Sequence, residues 1–93
     1  MSITRINTFQ AQEGQGNALR DLIGSFVPVI EASEGCLSCR LLQNQNDPAQ
    51  IVVIEVWEST EAHQASMKNI PPGALEAAMK LLAAPPKGAY YRS

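Results

Sequence analysis

The run Gln50-Ile-Val-Val-Ile-Glu-Val-Trp57 constrains the fold more than any other part of the chain. Six of the seven residues from Ile51 to Trp57 are apolar, β-branched or aromatic, the composition of a strand. Side chains alternate along a strand, so Ile51, Val53, Glu55 and Trp57 share one face, and Val52, Ile54 and Val56 share the other. Both faces are apolar. An antiparallel sheet wetted on one side shows polar alternation instead, so this strand expects cover on both sides. The chain's own helices can supply one cover, and a second copy of the chain is the natural source of the other.

The total length of 93 residues makes a single domain, 1–93, and leaves the core thin. A chain of this size buries only about 60–65% of its unfolded surface. The net charge is −2, and the seven basic residues are scattered rather than striped, which argues against a nucleic-acid-binding face. No apolar run approaches the ~18 residues of a membrane span. The opening Met-Ser-Ile-Thr-Arg-Ile lacks the basic-then-apolar layout of a secretory signal, so the expectation is a cytoplasmic protein.

Two cysteines form Cys36-Leu-Ser-Cys39 at the start of a run that reads as strand. In a regular strand, positions i and i+3 point to opposite faces with Cα atoms ~10 Å apart, beyond the ~7 Å reach of a disulfide. Zinc needs two further ligands, and His63 is the only histidine. The expectation is two unpaired, buried or half-buried thiols.

Taken in order, Ile3 to Gln10 alternates as a first strand, and Glu13-Gly-Gln-Gly16 breaks it. Ala18, Leu19, Leu22, Ile23, Phe26, Val27 and Ile30 then form one apolar helical stripe, with a kink expected at Pro28. Glu34-Gly35 closes that helix. A second strand from Cys36 to about Asn44 and a polar turn lead into the Ile51–Trp57 strand as an antiparallel hairpin. Ser59 or Thr60 can cap a short helix from Thr60 to about Lys68. Ile70-Pro-Pro-Gly73 interrupts it, and another helix runs from about Ala74 to Ala83. Ala89–Arg92 reads as a brief last strand. The order β-α-β-β-α(α)-β predicts an α+β, ferredoxin-like split βαβ sandwich with one open sheet face.

Several features in series resemble the antibiotic biosynthesis monooxygenase family: Phe9 with Gly14 five residues on, Glu34-Gly-Cys36, Arg40-Leu-Leu42, Asp47-Pro48, and Glu55-Val-Trp-Glu-Ser59 followed by Glu61-Ala62. The resemblance implies a dimeric α+β barrel, with two sheets packed face to face and a pocket between sheet and helices in each subunit. It further implies an oxygenase acting on a small phenolic, quinol or polyketide-like substrate with no metal or organic cofactor. A non-catalytic dimeric module that binds a small ligand or a partner is the alternative, since fold alone does not settle chemistry. The chain departs from the family's pattern at Ser66, where members carry His, and at His63, where they carry Leu or Phe. Haem-degrading relatives are matched at Asn7, but Ser66 stands near their Trp position and Met79 near their His ligand. Haem degradation is not expected.

Seven residues are candidates for the site. His63 has an ordinary pKa near neutrality and is the first choice of general base, with Glu55 in reserve. Asn7 can donate from its amide to a substrate oxygen or to an oxygen derived from O2. Glu55 lies on an apolar face and needs a partner, which Arg5 or Arg40 can supply; a structural ion pair is its other reading. Trp57 is either a wall for a flat substrate or core packing at a strand end. Arg5, Ser66 and Tyr90 are further substrate-binding candidates.

Overall fold

Those elements form in the expected order in the computed structural model, which describes residues 2–93. Strand β1 (Ile3–Gln10) is followed by helices α1 (Gly16–Gly24) and α2 (Val27–Glu31), then by strands β2 (Cys36–Gln43) and β3 (Gln50–Trp57). Helix α3 (Thr60–Ser66), a 3₁₀ turn over Met67–Asn69, helix α4 (Pro72–Leu81) and strand β4 (Lys87–Tyr91) complete the chain. The sheet order is β2-β3-β1-β4, antiparallel throughout, so this is the ferredoxin-like α+β arrangement. The doubly apolar β3 sits at its centre between β1 and β2. No helix among the described residues is long and apolar enough to cross a membrane.

Register decides which residues meet. Across β1 and β3, Arg5 opposes Glu55, Asn7 opposes Val53 and Phe9 opposes Ile51. All six belong to the helix-covered face, where Ile51, Val53 and Trp57 are buried and Leu19, Ile23, Ala78 and Leu82 close over them. On the other face the same register aligns Thr4, Ile6 and Thr8 with Val56, Ile54 and Val52. Leu42 and Tyr91 flank that row, both exposed, and no element among the described residues covers it.

Local chemistry sets the ends of the elements. The Ser59 hydroxyl accepts from the Ala62 backbone N–H at 3.1 Å, so Ser59 rather than Thr60 caps α3. Gly35 has φ of +86°, the left-handed conformation expected at that break, and a side chain there would press into Ala62 Cβ.

Four details differ from the sequence reading. The stripe expected as one kinked helix divides into α1 and α2, and Pro28 lies in the first turn of α2, where a missing N–H costs nothing. Helix α4 begins at Pro72 for the same reason, and it ends at Leu81 because Leu82 turns extended to bridge Ala11. The last strand begins at Lys87 and ends at Tyr91. The fourth concerns the cysteines. A bulge between Cys36 and Ser38 sets Cys36 opposite Trp57 and Cys39 opposite Glu55, so both thiols belong to the helix-covered face. The alternation argument fails there, although both cysteines are free thiols. Burial, reinforced by the nearby Glu55 charge, pushes the Cys39 thiol up to about 12, so it stays protonated and inert at neutral pH.

A candidate active site around a buried carboxylate

Glu55 is the polar residue in the middle of the apolar β3 face, and only 4% of it is exposed. A buried carboxylate needs hydrogen-bond donors. Strand periodicity supplies one: Trp57, two residues along and on the same face, donates from Nε1 to Glu55 Oε1 at 2.8 Å. The neighbouring strand supplies another: Asn7 donates from Nδ2 to Glu55 Oε2 at 3.3 Å. Asn7 is held in turn by Arg5, whose Nε donates to Asn7 Oδ1 at 3.0 Å.

The circuit continues across β4. The Arg5 guanidinium lies over the Tyr90 ring, with Cζ 4.6 Å from its centroid, and Tyr90 OH is 2.7 Å from His63 Nδ1. His63 Nε2 then faces Glu55 Oε1 at 3.8 Å, too far for a hydrogen bond. Trp57 and Tyr90 both meet the imidazole edge-on, each with ring centroids 5.4 Å away. Glu55, Asn7, Arg5, Tyr90 and His63 thus make a ring of contacts with one open gap, between imidazole and carboxylate.

Electrostatics assign the protons. Burial raises the Glu55 pKa above its ordinary 4.5, while the Trp57 N–H, the Arg5 charge and the Asn7 amide pull it partly back. Burial lowers the His63 pKa below 6.5, and the positive charge of Arg5 lowers it further, so the imidazole is neutral at pH 7. When Glu55 is ionised, the neutral imidazole facing it favours its proton on Nε2, which leaves Nδ1 to accept from the Tyr90 hydroxyl.

A cavity of about 220 Å³ opens beside this gap, between sheet and helices. Phe9, Ile23, Phe26, Ile30, Val53 and Leu75 make much of its wall, and Arg5, Asn7, Glu55, His63 and a second cation, Lys87, supply its polar lining. Ser66 also lines it, with its hydroxyl donating to the His63 carbonyl at 2.6 Å. Of the seven candidates, Arg5, Asn7, Glu55, His63 and Ser66 therefore share one cavity. Trp57 is fully buried behind Glu55 and makes no part of the wall, so it orients the carboxylate rather than touching a ligand. Tyr90 likewise stands outside the wall and acts on it through His63 and Arg5. Arg40 opposes Ile54 on the uncovered sheet face and is no partner for Glu55.

Phe26 and Ile30 carried a sequence signal that read as an apolar helical stripe, and Gly88, which lines the cavity on β4, carried none. Among the described residues no three His, Cys, Asp or Glu side chains converge as a metal-ligand set.

The fold and this site define a small α+β protein with a cavity that has a carboxylate–imidazole pair in its wall. The chain belongs to the antibiotic biosynthesis monooxygenase family, whose profile matches residues 2–83. Solved structures agree in fold. Rv0793 from Mycobacterium tuberculosis superposes with a TM-score of 0.85 at 20% identity, over 100% of this chain and 95% of its own. PA3566 from Pseudomonas aeruginosa reaches 0.83 at 26% identity, over 99% and 94%. A mutant of SnoaB, a cofactor-independent oxygenase from Streptomyces nogalater, reaches 0.81 at 17% identity, over 99% and 92%. No curated protein sequence matches the chain.

Replacing Trp57 with Phe removes one of the two donors to Glu55 and tests this account of the carboxylate. The expected loss is about 1–3 kcal/mol of stability. A carboxyl whose folded-state pKa exceeds its unfolded value favours folding at low pH and loses that contribution as pH rises. Trp57→Phe raises the Glu55 pKa further, so urea unfolding should show the variant falling further behind wild type as pH climbs from 4.5 to 7. A deficit independent of pH would mean that only packing was lost.

Proposed function

We propose that the protein is a cofactor-independent monooxygenase of one- and two-ring phenols or quinols. The observation that carries this reading is the 3.8 Å gap between His63 Nε2 and Glu55 Oε1 at the polar end of an apolar cavity. Two atoms that far apart can both lie ~2.8 Å from a single substrate oxygen. The volume of about 220 Å³ limits the size of the guest. It exceeds the ~150 Å³ that holds a benzene ring and falls short of the ~300 Å³ at which drug-sized sites begin. Family membership and the cofactor-independent oxygenase among the similar folds support the same chemistry.

Triplet O2 reacts slowly with closed-shell aromatics, so the protein's task is to turn the substrate into an electron-rich anion. With the imidazole proton on Nε2, the acceptor in the gap is Glu55, whose raised pKa makes it a stronger base than an ordinary carboxylate. His63 Nε2–H then donates to the phenolate as it forms. This assignment reverses the order in which sequence alone ranked the two residues. The anion gives an electron to O2, the radicals combine at a ring carbon, and the resulting peroxide loses water. For a naphthol the balance is naphthol plus O2 to naphthoquinone plus water. The apolar walls exclude solvent while the intermediate lasts.

Oxygen uptake with a naphthol or naphthoquinol tests the reading. The rate should fall in acid as Glu55 takes up a proton, with a midpoint above 4.5 because burial raises its pKa. Glu55→Gln should lower kcat/KM by ~10²–10⁴-fold and abolish that acid limb. His63→Leu should slow the reaction while leaving the limb in place. The opposite pattern would make His63 the base, and no uptake by wild type with any such compound would favour the non-catalytic binding module.

We further propose that two copies pack through the open sheet face. Ile6, Val52, Ile54 and Val56, flanked by exposed Leu42 and Tyr91, form an apolar row that the chain leaves uncovered. Sedimentation equilibrium at micromolar concentration should return a dimer, and Ile54→Lys a folded monomer. A monomeric wild type contradicts the pairing.

A further inference from the structure

Arg5 is only partly used by the contacts that place it. Its Nε donates to Asn7 and its plane covers Tyr90, but neither Nη has a hydrogen-bond acceptor among the described residues. No carboxylate among those residues pairs with it: the ion-pair contacts are Arg20 with Asp21 and His63 with Glu55. Every fully buried polar side-chain atom has a partner, so the unbonded Nη atoms are ones that solvent or a guest can reach. Arg5 also lines the cavity. A guanidinium is always charged, and its fixed fork matches a carboxylate with two parallel N–H donors.

The fold makes room for this arrangement. Gly88 of β4 opposes Asn7, and a methyl group built on it would run into Arg5 Nη2 and lie 2.5 Å from Asn7 Oδ1. A Cβ at that position would force the Arg5 guanidinium or the Asn7 amide to shift. The bare Cα of Gly88, the Tyr90 ring and Asn7 Oδ1 hold Arg5 on three sides. Its remaining donors are left for a guest.

We propose that the substrate is a hydroxyaromatic carboxylic acid, bound with its carboxylate on the Arg5 fork and its hydroxyl in the gap between Glu55 and His63. This rests on the oxygenase reading for the fate of the hydroxyl, but the binding step stands apart from it. The carboxylate supplies the acceptor that the Nη atoms lack. Positive charge beside the acid also offsets the repulsion that Glu55 would otherwise exert on an anionic guest.

Anaerobic binding measurements separate this proposal from the activity itself. The probes are 1-hydroxy-2-naphthoate, its methyl ester and 1-naphthol, titrated by calorimetry without oxygen. The free acid should bind about 10- to 100-fold more tightly than the ester or the naphthol, the range for hydrogen bonds to a charged group. Arg5→Met should erase that preference. Gly88→Ala, which keeps the charge but moves the fork, should reduce it while leaving a folded protein by circular dichroism. Equal binding of all three compounds by wild type overturns the carboxylate assignment whatever the variants do. A preference for the acid that survives in Arg5→Met overturns the role of Arg5. Tight binding of the acid with no oxygen uptake would uphold this inference and contradict the oxygenase reading.

Discussion

A carboxylate without charge-matched ligands, buried in the sheet of this 93-residue chain, is the constraint on which the rest of the structure depends. Unpaired, Glu55 would cost several kcal/mol, a large share of the stability of so small a domain. Hydrogen bonds to a charged group each return ~1.5–3 kcal/mol, and Trp57 and Asn7 provide two of them. That requirement explains why an otherwise apolar strand face carries a Trp at its end, and why β1 sets Asn7 and Arg5 beside it. Arg5 holds Asn7 and pulls on Glu55 by its charge alone, with no ion-pair contact between them, so burial still leaves Glu55 with a raised pKa. A site meant only to be stable would have joined the two charges.

The sheet that carries this polar cluster is covered on one side only. Helices α1 to α4 bury Ile51, Val53 and Trp57, while the row containing Ile54 has no cover among the described residues. Separating the two functions by face follows from strand alternation: odd-numbered β1 and β3 residues build the cavity, and their even-numbered neighbours build the surface proposed for pairing. A one-residue slip between β1 and β3 would move Asn7 away from Glu55 and bury Thr8 in its stead, so register is fixed by both faces together.

The architecture was legible because its signals are local and repeated. The doubly apolar β3, the helical stripe from Ala18 to Ile30 and the turn residues around Asn44–Pro48 each name their element, and their order names the fold. The membership of the cavity was partly legible, since alternation groups Arg5 with Asn7 on β1 and Glu55 with Trp57 on β3, while the register that brings the two groups to one face was not. Three things were hidden. The bulge at Cys36–Ser38 has no marker in composition and brings both cysteines to one face. The bond between Tyr90 and His63 Nδ1 depends on where β4 docks, 27 residues later in the chain, and it decides which nitrogen is free. Gly88 matters only as an absence of atoms, which becomes visible when Arg5 is seen filling the space.

The central claim is that the gap between Glu55 and His63 turns a bound phenol into its anion. Anaerobic difference spectroscopy reads this directly, because a phenolate absorbs at longer wavelength than the phenol. Mixing the protein with 1-naphthol at pH 7, well below the solution pKa of the phenol, should produce the phenolate band in wild type and not in Glu55→Gln. A bound naphthol that keeps its neutral spectrum in wild type would contradict the account.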